Sequence, residues 1–182
     1  MFKPLNILDE KDKSLRTKSI EVNLPLTKED KKIIQHIIDH LTYSQIEEYE
    51  KKYDLRPGMG LAFPQLGINE RIIVIVYEYT EGKFEEYVVI NPKIVSYSDE
   101  MIAADAGEGC LSVNRDVEGH VKRHARVTVE GYDVDGNKIR IRAREELAIA
   151  FQHEVDHLNG ILFYDRIDKN KQFYNDEELR LI

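Results

Sequence analysis

A single cysteine, Cys110, stands among the 182 residues, so no disulfide can form within the chain and the thiol is left for chemistry or burial. Long apolar runs are absent too. Met1-Phe2-Lys3-Pro4-Leu5 lacks the hydrophobic stretch of a signal peptide, and no segment approaches the length of a membrane span, so a soluble cytoplasmic protein without a membrane partner is expected. Positive charge is in deficit: 26 Lys and Arg against 34 Asp and Glu leave a formal net charge of -8. That balance argues against wrapping nucleic acid or holding anionic lipid by general electrostatics. Internal repeats and linker-like stretches are missing as well. With 42% hydrophobic residues the chain can bury one core but is short for two, so a single domain over 1–182 is expected.

What is present obeys two periodicities. Thr27 followed by Asp30 resembles a capping box, and Ile33, Ile34, Ile37, Ile38 and Leu41 recur at helical spacing, which predicts an N-terminal amphipathic helix over about 28–51. Arg56-Pro57-Gly58-Met59-Gly60 reads as a loop that turns tightly or brings backbone close to something. Residues 71–79 and 84–90 are rich in Ile, Val, Tyr and Phe and predict a hairpin across Thr80-Glu81-Gly82-Lys83. Residues 127–134 and 138–142 alternate apolar and polar around Asp135-Gly136, a strong turn signal. The expectation is an α+β fold of antiparallel sheets packed around a central helix.

That central helix is predicted over 145–159, where Leu147, Ala150, Phe151, Val155 and Leu158 recur at threes and fours and Gly160 offers a stop. It carries His153-Glu154-Val155-Asp156-His157. At about 100° per residue the two histidines lie about 40° apart around the axis, with Glu154 about 60° beyond His157, so all three can face one point. Two histidines at this spacing can grip a metal while the intervening carboxylate serves as a base, which is the pattern of metal-assisted hydrolysis. His36-Ile37-Ile38-Asp39-His40 has the same spacing without the glutamate and reads as the rim of an apolar helix stripe.

A catalytic metal needs a third protein ligand and an open position. Phe163 occupies the place of a third histidine seen in one zinc-protease arrangement and cannot bind metal. Glu177 and Glu178 lie at the distance of a downstream glutamate ligand, which keeps a zinc metallopeptidase alive as an alternative. Cys110, inside Glu108-Gly109-Cys110-Leu111-Ser112, is the other candidate, as a thiolate. A closed four-ligand zinc module would have to recruit His120, His124 or a carboxylate.

Three separated motifs together resemble the peptide deformylases: Gly58-Met59-Gly60-Leu61-Ala62-Phe63-Pro64-Gln65, Glu108-Gly109-Cys110-Leu111-Ser112 and Gln152-His153-Glu154-Val155-Asp156-His157-Leu158. Ser112-Val113-Asn114-Arg115 and the insertion after Gln65 look like the class typical of Gram-positive bacteria and their wall-less relatives. The resemblance implies Cys110, His153 and His157 as metal ligands, Glu154 as acid and base, and Gln65 with the Leu111 backbone N–H as oxyanion donors. It implies removal of the formyl group from N-formyl-Met peptides and nascent chains, with release of formate, and a transient contact with the ribosome. Thiolate and imidazole suit Zn and Fe(II) better than Mg or Ca; the resemblance points to Fe(2+), with Zn(2+), Ni(2+) or Co(2+) as substitutes. An apolar slot for the methionine side chain is expected from Met59, Leu147, Ile149 and Ala150, and Gly58 and Gly60 offer backbone to an extended peptide. Glu108 and Asp156 are candidates for orienting the ligands. The motif departs from the family at Phe63, where a second alanine is usual, and 168–182 matches nothing that the sequence explains.

Overall fold

The first long helix, α1 (Lys28–Ser44), starts where the capping box predicts: the Thr27 hydroxyl accepts from the Asp30 N–H at 3.1 Å and the Asp30 carboxylate accepts from the Thr27 N–H at 2.9 Å. It ends earlier than its periodicity suggests. The Gln45 amide donates to the carbonyls of Leu41, Gly58 and Val76, tying the helix end to a distant loop and strand. Extended Ile46 then separates α1 from a short second helix, α2 (Glu47–Tyr53). The expected continuous helix is therefore two, because a tertiary bond outcompetes helical propagation at Gln45. The structure, a computed structural model, describes residues 2–182.

The strands follow as β1 (Gly60–Ala62), β2 (Ile72–Thr80), β3 (Lys83–Tyr97), β4 (Met101–Ala103), β5 (Arg123–His124), β6 (Arg126–Tyr132) and β7 (Lys138–Arg144). The third helix, α3 (Glu145–Leu158), and a last strand, β8 (Arg180–Leu181), complete the order. Five strands form an antiparallel sheet in the order β1-β2-β3-β6-β7. Both predicted hairpins are present, β2–β3 and β6–β7. The strand predicted to stop at 90 runs on to Tyr97: Asn91 takes a left-handed backbone (φ 53°), and the register shift between Ile90 and Lys93 absorbs Asn91-Pro92. Up to Ile90 β3 pairs with β2, Ile90 pairs with β6 as well, and past the bulge β3 pairs with β6 alone.

Burial of β2 shows how the layers stack. Ile72 to Val76 are all 0% exposed, because successive side chains point to opposite faces and both faces are covered. Ile72, Val74 and Val76 pack with Ile34, Ile37, Ile38 and Leu41 of α1. Ile73 and Ile75 pack with Ala148, Phe151 and Leu158 of α3. A third contact, between Ile149 of α3 and the pair Ile102 and Ala125, joins the helix to the second sheet, ordered β5-β4-β8. The central helix thus lies between two sheets. The small sheet is not purely antiparallel: β4 and β8 run parallel, since the C-terminal segment returns alongside β4 in the same direction. No helix among the described residues is long and apolar enough to cross a membrane.

Candidate functional site

Helix α3 buries three kinds of face at once, and the third is polar. His153, Glu154 and His157 are 9%, 4% and 1% exposed, and they meet the loop that carries Cys110. Cys110 Sγ lies 3.3 Å from His157 Nε2, and one ligand atom from each of Cys110, His153 and His157 lies within 4.8 Å of the other two. One thiolate and two imidazoles on two elements are a donor set suited to a divalent metal with a position left open. The residues present therefore fit the metal that the three motifs imply.

One imidazole is aimed by a buried ion network. His153 Nδ1 lies 2.8 Å from Glu108 Oε2, which leaves Nε2 as the nitrogen available to a metal. Glu108 receives two bonds from Arg123, at 2.7 and 3.0 Å, and Arg123 donates a third to Asp156 at 2.6 Å. Asp156 also receives Arg166. Burial alone would raise the Glu108 carboxyl, but His153 and Arg123 outweigh it and hold it down at about 2. His153 is likewise opposed by burial, yet its bonds to Cys110 and Glu108 keep it well above the usual histidine value; burial takes His157 well below it.

Glu154 has the opposite surroundings. Burial raises its carboxyl to about 7, and Oε2 has no hydrogen-bond partner among the described residues. A buried carboxylate oxygen without a partner, next to the ligand cluster, is suited to take a proton from a water molecule. Gly60 makes room for it: a Cβ there would lie 2.4 Å from Glu154 Oε1. Gly58 sits as close to Leu111, where a Cβ would lie 2.7 Å from Cδ1. Both glycines thus bring backbone close to another side chain, one of the two readings that the Arg56–Gly60 loop allowed, and a Cβ at either would force that side chain to shift.

Gln65 is 1% exposed, and its orientation is fixed by the Ala62 N–H donating to Oε1 at 2.9 Å. Its amide hydrogens therefore face Ser112 Oγ at 3.1 Å and Cys110 Sγ at 3.7 Å. The loop from Cys110 is held by Arg56, which donates to the carbonyls of Cys110 and Val113 and to Asn114 Oδ1. A cleft of about 350 Å³ opens beside these groups, and Gln65, Cys110, Leu111, His153 and Glu154 all line it. Gly58, Met59, Gly60, Ile149 and Ala150 line it too, together with Ala104. Leu147 does not. It packs against the cluster of Ala148, Phe151 and the large sheet.

Other expectations are redirected. Phe63 is 0% exposed and packs with Leu61, Ile72 and α1, so its bulk fills core and stays out of the cleft. Phe163 stacks on the His153 ring, 6.0 Å between centroids. Glu177 and Glu178 are exposed and outside the ligand cluster, with Glu178 paired to Lys171, so the downstream-glutamate metallopeptidase is not supported. His120 and His124 bond to backbone elsewhere. His40 is no rim residue: it is 4% exposed and accepts the Leu5 N–H at 3.2 Å, while His36 holds the Lys3 carbonyl. Sequence reasoning missed Arg56, Ala104 and Arg123; nothing in the local pattern around Lys122-Arg123 separates a buried arginine from a solvated one.

The model of the polypeptide deformylase family matches residues 4–173. The chain belongs to that family. It is 45% identical over 168 residues to a peptide deformylase of Oceanobacillus iheyensis, covering 92% of each chain, and 43% identical over 174 residues to one of Staphylococcus epidermidis, covering 95% of each. Among solved structures, peptide deformylase from Thermotoga maritima superposes with a TM-score of 0.71 at 32% identity, covering 91% of this chain and 98% of that one. Arabidopsis thaliana peptide deformylase 1B in complex with an inhibitor superposes at 0.75 and 32%, covering 91% and 83%. As a peptide deformylase, the chain is a hydrolase that removes the N-formyl group from newly made polypeptides.

Proposed function

We propose that residues 1–182 act as one catalytic domain in which Cys110, His153 and His157 hold Fe(2+), Glu154 moves the proton, and Gln65 with the Leu111 N–H receives negative charge. The observation that carries this reading is the convergence of one sulfur and two imidazoles within 4.8 Å beside a buried, unpartnered carboxylate oxygen. The thiolate favours iron or zinc over magnesium or calcium, and Zn(2+), Ni(2+) and Co(2+) are substitutes that the same donors accept. When bound, the ion supplies Lewis acidity, which lowers the pKa of water and polarises the formyl carbonyl.

In this reading Glu154 takes one proton from water as the oxygen adds to the formyl carbon. The carbonyl electron pair moves onto its oxygen, which faces the Gln65 amide and the Leu111 N–H. The electrons return, the C–N bond breaks, and Glu154 gives its proton to the departing amine. Formate and a free N-terminus result. The methionine side chain enters the slot lined by Met59, Ile149 and Ala150, and the peptide backbone runs past Gly58 and Gly60. A formylated nascent chain as substrate is the reason to propose cytoplasmic action and a transient contact with the ribosome. The net charge of -8 supports no direct grip on nucleic acid and no membrane partner.

Elemental analysis combined with an assay of formate released from formyl-Met-Ala-Ser tests the whole scheme. About one metal per chain and formate equal to the amine formed are expected. Metal without formate, or metal retained after Cys110→Ala, would overturn it.

A further inference from the structure

The family match ends at residue 173, yet one wall of the cleft depends on the residues beyond it. The segment 172–182 lies along the second sheet as a strap. Gln172 O accepts the His120 N–H at 2.8 Å, and the Tyr174 N–H donates to His120 Nδ1 at 3.0 Å. His120 Nδ1 is thus an acceptor, its proton is on Nε2, and that nitrogen donates to the Asp105 carbonyl at 3.2 Å. Tyr174 and Leu179 then bury themselves against Ala103, and β8 pairs with β4.

At Ile182 the strap reaches the cleft wall itself. Its N–H donates to the Ala103 carbonyl at 3.0 Å, and its carbonyl accepts the Asp105 N–H at 2.9 Å. These two bonds grip the residue between, Ala104, which lines the cleft. The Ile182 side chain packs with Ala104 onto the cluster of Ile102, Ala125 and Ile149, and Ile149 lines the cleft as well. Two lining residues from different elements, one after β4 and one on α3, therefore share a support outside the cleft. Arg180 reinforces the same corner. It donates to both carboxylate oxygens of Glu145 at 2.9 Å and to Glu100 at 2.9 Å, and Glu145 begins α3 with a left-handed backbone (φ 54°).

We propose that the 172–182 strap sets the width of the slot for the substrate's first side chain, with Ile182 as the positioning residue behind Ala104 and Ile149. Ile182 touches no substrate; it acts through the two wall residues. A packed wall discriminates side chains by size only while its backing prevents it from yielding, because a cavity behind it lets the lining collapse outward. The inference rests on the reading that Ile149 lines the methionine slot.

The test is the ratio of kcat/KM for formyl-Met-Ala-Ser to that for formyl-Phe-Ala-Ser in the metal-loaded full chain. In Ile182→Ala the ratio should fall by about fivefold or more, since a difference of one methylene in a pocket is worth roughly tenfold or more. The loss on the methionine substrate should appear in KM rather than kcat, with metal content kept. Ile149→Ala should lower the ratio further. An unchanged ratio in both variants overturns the slot reading and this inference with it. A fall in Ile149→Ala alone, or an equal loss on both substrates in Ile182→Ala, overturns the strap inference and leaves the slot standing. Ile182→Val, a smaller truncation, reads the same ratio if the alanine variant does not fold.

Discussion

Gly60 and Glu154 approach so closely that the glycine has no room for a methyl group: a Cβ would stand 2.4 Å from Oε1 and 2.9 Å from Cδ. The neighbour that would have to yield is the buried carboxylate proposed to carry the proton. A displacement of about 1 Å in a reacting group costs on the order of a hundredfold in rate. Gly60→Ala should therefore lower kcat by about that factor while elemental analysis still finds the metal. Full activity in Gly60→Ala would show that Glu154 can stand elsewhere and still work.

Gln65 tests a different part of the machinery. Its Oε1 is committed to the Ala62 N–H, so only the amide hydrogens face the cleft. Gln65→Leu removes that donor and keeps the volume, and turnover should drop about a hundred- to thousandfold with little change in bound metal. The side chain also donates to Ser112, so a stability loss of about 1 kcal/mol should accompany it in urea unfolding. Loss of metal instead would place Gln65 among the groups that hold the ligand cysteine.

The contrast between these residues and the rest shows what a linear pattern can carry. Glu154, His153 and His157 were legible because their grouping is local: helical period and ligand spacing coincide on one stretch of α3. The β2–β3 and β6–β7 hairpins were legible for the same reason. Cys110 was only one of several third ligands until the family resemblance chose it, since no local rule joins a loop to a helix more than forty residues on. The break at Gln45 depends on the carbonyls of Gly58 and Val76, and burial of Arg123 depends on two carboxylates from other segments. Ile182 reaches Ala104 through its bonds to Ala103 and Asp105, just past the end of the parallel β4–β8 pair, whose strands are far apart in the chain. Those relationships exist only after the sheets have formed.

The Arg123 network makes a prediction about metal retention. Glu108 orients His153, and the two Arg123 bonds orient Glu108. Glu108→Gln should weaken metal binding by about 10- to 100-fold, read as faster loss to a chelator. Arg123→Met goes further, because it leaves Glu108, 5% exposed, without its guanidinium partner, while Asp156 keeps only Arg166. Removing one partner of such a buried group costs about 3–5 kcal/mol, and the unfolding midpoint should fall accordingly. Unchanged chelator kinetics in Glu108→Gln would separate the network from the metal and leave it a purely structural device.

His40 sets a pH dependence far from the cleft. Burial, with a smaller contribution from His36, lowers it from its ordinary 6.5 to about 4, and its Nδ1 is occupied as an acceptor of the Leu5 N–H. Protonation at that nitrogen would set two donors against each other. Between about pH 4 and pH 6.5 the unfolded chain therefore binds a proton at this position that the folded chain does not. The folded state is accordingly free of this penalty above pH 6.5 and is progressively destabilised as pH falls towards 4. At pH 5 the loss amounts to about 2 kcal/mol relative to pH 7.5. Urea unfolding of the metal-loaded protein at those two values, compared with His40→Gln, isolates the contribution because the carboxylates titrate alike in both. The variant should lose about 2 kcal/mol less than the parent on acidification. Equal losses would mean that His40 is protonated in the folded protein, and that the Leu5 N–H does not hold the N-terminal segment against α1 in the way the structure describes.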